Sequence, residues 1–290
     1  MRPKRPWFLG GAALTALVAA AVAVASSCAP VLNYVEADRP RYEGHYATPE
    51  ADPSFRVVTF NVKFAREIDR AARLLREHEE LRGADLVALQ EMDAEGTARI
   101  ARALSMNYVY YPAVRHSASD RDFGNAILSR WPLSDDRKLV LPYRSRFRDM
   151  QRIAVSATAA TPLGPVRVYS VHLETPGGIA AVNRQRQAAA VIRDARLYPR
   201  AIVAGDFNSR QVGKVFEWYG FRWVTKDLGS TIRFFAWDHV FVRGLEPVPL
   251  GAGIVRDSGG ASDHLPVWAV LSVTPSGGEI VHDRQPAARR

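Results

Sequence analysis

Cysteine is almost absent: Cys28 is the only one in 290 residues, so no disulfide can form within the chain and the fold must rest on its core. The sequence also lacks a His-Glu-x-x-His helix and any cysteine cluster, which excludes the common zinc frameworks. No internal repeat and no long Gly/Ser linker marks a second domain, and there is no separate nucleic-acid-binding module. Acidic residues are outnumbered, 30 against 39 Lys and Arg, for a formal net charge of +9. That balance favours anionic partners such as nucleic acid, phospholipid head groups or phosphate esters, without choosing among them. Part of it belongs to Arg2, Lys4 and Arg5, so the folded part is less basic than the total.

What is there is enough for a core: 47% hydrophobic and 24% charged residues suit one large α/β domain or two small ones. The apolar run from Trp7 to Ala25 follows three basic residues and ends in Ala25-Ser26-Ser27-Cys28, which reads as an export signal. Either Cys28 is a lipidated cysteine after a lipobox, with residues 1–28 removed up to it, or the run stays as an uncleaved anchor of about 19 apolar residues. Both outcomes hold the protein at a membrane, exported to the periplasmic or extracellular face. Residues 29–54, with scattered Pro and Tyr, read as a tether or an ordered lead-in, residues 55–273 as the domain, and residues 274–290 as a disordered tail.

Within the domain, Arg56–Asn61 is β-branched and aromatic and reads as a strand, followed by a helical stretch through Leu74, Leu75 and His78. Asp85–Glu91 is an apolar run that turns polar at its end, a buried strand with chemistry at its C-terminus. Further strands are expected over 125–129, 153–158, 166–172, 201–204, 238–242 and 265–273, with a helix in 178–196. One layered α/β sandwich accounts for this order. The expected strands tend to end in Asn61, Glu91, His172, Asp206 with Asn208, and Asp238. Polar groups at neighbouring strand ends converge on one sheet edge, where loops open to water. A set of oxygen ligands and imidazoles selects a hard cation, Mg²⁺ or Mn²⁺, over structural zinc.

The same residues sit in motifs that follow in order: Thr59-Phe60-Asn61, Leu89-Gln90-Glu91, Gly124-Asn125-Ala126-Ile127-Leu128-Ser129, Val171-His172-Leu173, Gly205-Asp206-Phe207-Asn208, Trp237-Asp238-His239-Val240-Phe241 and Ser262-Asp263-His264-Leu265-Pro266-Val267. In this the chain resembles the endonuclease/exonuclease/phosphatase superfamily, which includes deoxyribonucleases, bacterial sphingomyelinases and inositol-polyphosphate phosphatases. The resemblance implies a four-layered α/β sandwich of two mainly antiparallel sheets flanked by helices. It implies Mg²⁺-dependent hydrolysis of phosphate esters by a monomer. Glu91 would be the principal metal ligand, with Asn61 helping through its amide oxygen and Asp263 binding metal or holding its loop. Asp206 would orient or deprotonate the attacking water, Asn208 would donate to the transition-state oxygens, and Asp238 would support His264. His172 disfavours an abasic-site endonuclease, which uses a Tyr elsewhere. The implied substrates are nucleic acid, cleaved by an extracytoplasmic endonuclease-like enzyme, or a phospholipid, cleaved by a sphingomyelinase-like or phosphoinositide-phosphatase-like one. A catalytically silent binding protein is disfavoured, since every motif residue that catalysis needs is present.

Other residues have bland readings. His239 would face away from Asp238 and be structural. His116 falls in a polar loop at 115–122. Arg184 and Gln187 would reach the site edge or, the favoured reading, pack their helix on the sheet, and Arg152 would meet either phosphate or an ion-pair partner. Phe234, Phe235 and Trp237 would form a membrane-facing or base-stacking lip or, the favoured reading, lie buried under the second sheet. The short segment between Gly205 and Asp238 points to a shallow, open cleft.

Overall fold

The apolar runs pair as strands because each carries side chains for two buried faces. The computed structural model describes residues 31–47, 54–116, 120–162 and 164–272. The N-terminal apolar run with Cys28, residues 48–53 and the tail beyond residue 272 lie outside the described residues. Among those described, no helix is long and apolar enough to cross a membrane. In chain order the elements are β1 (Val31–Asn33), β2 (Tyr42–Gly44), β3 (Ser54–Asn61), α1 (Ile68–Glu77), β4 (Leu86–Met92), α2 (Ala94–Ala103), β5 (Asn107–His116), β6 (Arg121–Ser129), β7 (Leu133–Val140), β8 (Ile153–Thr161), β9 (Gly164–His172), α3 (Ala181–Ala195), β10 (Ala201–Asp206), α4 (Val212–Trp218), β11 (Arg222–Trp223), β12 (Asp238–Arg243), β13 (Glu246–Ile254) and β14 (Val267–Ser272).

These strands form two sheets, ordered β1-β5-β6-β4-β3-β14-β13, with β2 also on β5, and β11-β12-β10-β9-β8-β7. Only β3 with β4 and β9 with β10 are parallel; the other pairs are antiparallel. Three apolar clusters separate four layers. Phe55, Trp131, Ile153, Val168, Ile202 and Val240 fill the space between the sheets. Val58, Leu75, Ile100 and Tyr110 seat α1 and α2 on the first sheet. Val191, Phe207, Phe216 and Phe241 seat α3 and α4 on the second. Each such side chain, taken from water, contributes about 1.5–3 kcal/mol. The fold is the four-layered sandwich of two mainly antiparallel sheets that the family resemblance implied.

The helices follow local rules. In α1, Ile68, Ala71 and Leu75 share the buried stripe. Asp93 caps α2 by accepting from Gly96 N at 2.7 Å. Two glycines of the motifs are steric necessities. A Cβ at Gly124 would meet the Tyr111 carbonyl oxygen at 2.1 Å, and one at Gly205 would meet that of Val171 at 2.0 Å.

Several elements escape the sequence pattern. The β7 strand carries Ser134-Asp135-Asp136-Arg137-Lys138 and a register shift, and β13 carries Pro247, Pro249 and two glycines with a bulge. Both are edge strands, where polar residues, proline and bulges are tolerated. The expected loop at 115–122 is instead the end of the β5–β6 hairpin, with Arg115 opposite Asp122 and His116 opposite Arg121. Residues 31–47 form an ordered lead-in: β1 and β2 pair with β5, and the buried Lys138 donates to the carbonyls of Tyr34 (2.9 Å) and Arg39 (2.7 Å).

Candidate active site

Five strands bring the polar motif residues to one edge of the sandwich. Asn61 ends β3, Glu91 lies one residue from the end of β4, and His172 and Asp206 end the parallel neighbours β9 and β10. Asp238 begins β12 rather than ending it. Because β12 runs antiparallel to β10, its start lies opposite Asp206 and reaches the same edge. His264 comes from the turn before β14. Asn61 joins the sheets, donating through Nδ2 to Glu91 Oε1 and Asp206 Oδ2, 3.1 Å each.

The local backbone is bent to make this possible. A bulge in β4 between Gln90 and Met92 puts Glu91 at φ +59°, and Asn208 sits at φ +49°. Lys63, Phe64 and Ala65 are all left-handed, so the turn after β3 aims Lys63 N at Asn61 Oδ1 (3.0 Å) and Phe64 N at Glu91 Oε2 (3.0 Å). Such conformations cost about 1–3 kcal/mol per residue and cluster where function demands them. The amide of Asn61 therefore turns its nitrogen, not its oxygen, to the carboxylates.

His264 Nδ1 is 2.9 Å from Asp238 Oδ2, and its Nε2 is 3.8 Å from Asp206 Oδ2. Burial pulls its pKa down, but the charges of Asp238 and Asp206 overcome that and hold it at about 10, so His264 is an imidazolium at neutral pH. His172 goes the other way. Burial, with the Arg152 charge beside it, keeps the ring neutral. Its Nε2 stands 3.4 Å from Asp206 Oδ2. Burial raises Asp206 to about 7 and pushes Glu91 up as well. Asn208 supports Asp206 through its backbone N–H (2.8 Å), and its side-chain amide donates to Leu173 O (3.0 Å) and Asp206 Oδ2 (3.3 Å). Those amide hydrogens are engaged within the protein. Asp263 stands apart from the buried group, paired with Lys63 at 3.0 Å, and holds the turn after β3.

Supporting residues that the sequence did not single out lie just beneath. Gln90 Nε2 donates to Ser170 Oγ (3.1 Å), Ser170 Oγ to Leu89 O (2.9 Å), and Asn125 Nδ2 to Ile153 O and Ser170 O (3.1 Å each), a buried stitch between the sheets. Gln90 and Asn125 sit inside the motifs, which was the available signal. Thr231 ties two site loops together. Its Oγ1 accepts from Trp237 N (3.1 Å) and Asp238 N (3.2 Å), and its carbonyl accepts from Leu265 N (2.8 Å).

Arg152 forms an ion pair, its Nε 3.0 Å from Glu174 Oε2, while its Nη1 stands 3.1 and 3.2 Å from the two nitrogens of His172. Both partners of the pair are buried. Removing the cation alone strands a carboxylate, so Arg152→Met is expected to destabilise the protein by about 3–5 kcal/mol. Adding Glu174→Gln is expected to recover much of that, as read from urea midpoints.

Three bland readings meet different outcomes. His239 is buried among Phe207, Trp223 and Phe241, its ring nitrogens unpartnered, and burial drops its pKa to about 4: it is structural. Gln187 packs its helix, donating to Pro142 O and Tyr143 O and accepting from Glu174 N. The aromatic group is not buried under the second sheet. Phe234 is 90% and Phe235 50% exposed, because Thr231 and Phe235 close a short loop that carries them outward. They rim a cleft of about 700 Å³ that reaches Asn208.

The family model described as the endonuclease/exonuclease/phosphatase family matches residues 58–264. The chain belongs to that family. It is an enzyme, a metal-dependent phosphoric ester hydrolase. An endonuclease/exonuclease/phosphatase from Beutenbergia cavernae has 20% identity and a TM-score of 0.64, covering 77% of this chain and 72% of that one. The human Nocturnin catalytic domain with bound sulfate anion has 18% identity and a TM-score of 0.62, covering 81% and 98%. D. rerio TDP2 complexed with single strand DNA product has 19% identity and a TM-score of 0.57, covering 77% and 100%. At these identities the likeness shows the fold. No curated protein matches the sequence.

The donor set fits the family's metal. Glu91, Asp206 and Asp238 face a single imidazolium, since Arg152 is engaged by Glu174; a divalent cation would balance the excess of buried negative charge. Asp206, Asp238 and His264 also lie within ligand-forming distance of one another. An imidazolium has no free lone pair, which directs a cation toward the Glu91 carboxylate, held in place by the Asn61 amide N–H, instead.

Proposed function

We propose that this enzyme is a Mg²⁺-dependent phosphodiesterase that cleaves nucleic acid outside the cytoplasm, in the manner of an endonuclease. The observation that carries the reading is the aromatic lip, Phe234, Phe235 and Trp237, at the mouth of the cleft that reaches Asn208. Every base has a π-face, so a flat aromatic rim recognises nucleic acid without regard to sequence. The single-stranded DNA product bound by the TDP2 relative supports the same substrate class. The reading of export and of membrane attachment, through lipidated Cys28 or an uncleaved anchor, rests on the apolar run after Arg2, Lys4 and Arg5. The domain works as a monomer in this reading.

Glu91, with Asn61 beside it, would hold the Mg²⁺. When bound, the metal neutralises charge on a phosphate oxygen. Asp206, poised near neutrality by burial, accepts the proton of the attacking water. Asn208 and Asn61 fix the direction of that carboxylate. The His264 imidazolium, backed by Asp238, stabilises negative charge that develops on the phosphoryl oxygens. His172, kept neutral beside Arg152, offers an N–H without adding charge.

A second reading, a sphingomyelinase-like or phosphoinositide-phosphatase-like lipid phosphoesterase, draws on the exposure of Phe234 and Phe147, apolar side chains that could enter a lipid surface. The two separate on a substrate panel with Mg²⁺: a single-stranded DNA oligonucleotide, plasmid DNA and sphingomyelin vesicles. We expect DNA to be cut. Lipid cleavage with no DNA cleavage would replace the first reading by the second.

A further inference from the structure

Arg184 lies in the first turns of α3 and is only 7% exposed. Its Nε and Nη1 are buried without a hydrogen-bond partner. The carboxylate near enough to act on it, Glu174, is already engaged by Arg152 at 3.0 Å. Buried guanidinium groups are normally paired, because their five N–H donors lose water on burial and need acceptors. This one lines the cleft of about 700 Å³ together with Pro176, Asn208, Arg210, Phe235 and Trp237. Phe235 and Trp237 stack on each other there, with centroids 4.7 Å apart and planes 15° from parallel. A planar aromatic surface, a second cation and a buried guanidinium with two unpartnered nitrogens therefore share one cavity. That cavity adjoins Asn208, which is bonded to Asp206.

We propose that this cleft is a nucleotide subsite, in which a base stacks on the Phe235–Trp237 pair and the adjoining phosphate accepts from the Arg184 guanidinium. The proposal rests on the nuclease reading and deepens it by naming what is held beside the scissile bond. A guanidinium fork matches phosphate oxygens two at a time, which Lys cannot reproduce. The stack supplies affinity without base preference, and Arg184 requires that the ring carry a phosphate. Substrates with a phosphate flanking the scissile one are thereby favoured over simple diesters.

The test is calorimetric titration of the full chain with adenosine 5′-monophosphate and with adenosine. Loss of a charged hydrogen-bond pair predicts that Arg184→Gln weakens the monophosphate about 10–100-fold while adenosine binds as before. Arg184→Lys is expected to restore only part of the loss, and Phe235→Ala to weaken both ligands. Equal loss of both ligands in Arg184→Gln, or no loss of either, overturns the subsite. Hydrolysis of a 5′-phosphorylated trinucleotide separates this proposal from the reading beneath it. If the wild type cuts the trinucleotide and Arg184→Gln leaves its KM unchanged, the subsite fails and the nuclease reading stands. If the wild type does not cut it but monophosphate binding depends on Arg184, the nuclease reading fails and the subsite stands.

Discussion

His264→Ala is expected to lower kcat/KM for a phosphodiester by about 10²–10⁴-fold, the range for loss of a positioned acid–base or charge-stabilising group. The size follows from the environment. His264 is buried, its Nδ1 is fixed 2.9 Å from Asp238, and the carboxylates around it keep it charged at neutral pH. A cation already aimed at the reacting phosphate needs no reorganisation during the reaction. Asp238 acts through this ring, so Asp238→Asn is expected to cost about 10–100-fold, as partners behind a functional imidazole do. The double variant is then expected to be no worse than His264→Ala, because the two residues form one unit. Additive losses in single-turnover assays would show that Asp238 has a separate role.

Asp206→Asn is expected to lower kcat by about 10²–10⁴-fold with little change in KM. Asp206 is the residue on which both sheets converge: Asn61 from the first, His172 and Asn208 from the second, and His264 from the last turn all lie within 4 Å of its carboxylate. Burial lifts it to about 7, where a base can both hold and release a proton near neutrality. Asparagine keeps the shape and most of the contacts but cannot take a proton. A substantial rise in KM with kcat preserved would instead assign Asp206 to substrate binding.

Much of this architecture was legible in the residues. Buried central strands, such as Leu86–Met92, announce themselves as continuous apolar runs, and their polar terminal residues mark the edge where chemistry collects. Edge strands did not announce themselves, because β7 and β13 have one neighbour each and tolerate charges, prolines and bulges. At the site, the residues at strand ends could be named, and the resemblance implied the Asp238–His264 pair, but the other pairings could not be read. Whether Arg152 meets phosphate or a carboxylate depends on where Glu174 falls, and that is set by the turn after β9. For Asp263 the choice between binding metal and holding its loop stayed open in the sequence, because neighbouring residues in a turn face different ways; it meets Lys63 in the turn after β3. The aromatic lip illustrates the general limit. Hydrophobicity argues for burial, whereas exposure of Phe234 is dictated by a short loop closed through Thr231, which no periodicity reveals.

The most direct test is hydrolysis of bis(4-nitrophenyl) phosphate by the full chain, titrated with Mg²⁺ after chelation, for wild type and Glu91→Gln. The wild type is expected to be inactive without metal and to saturate with Mg²⁺, and Glu91→Gln to need at least about 10-fold more metal, since a principal carboxylate ligand is lost. Activity that persists in chelator, or a Glu91→Gln titration that matches the wild type, would contradict a metal held at Glu91.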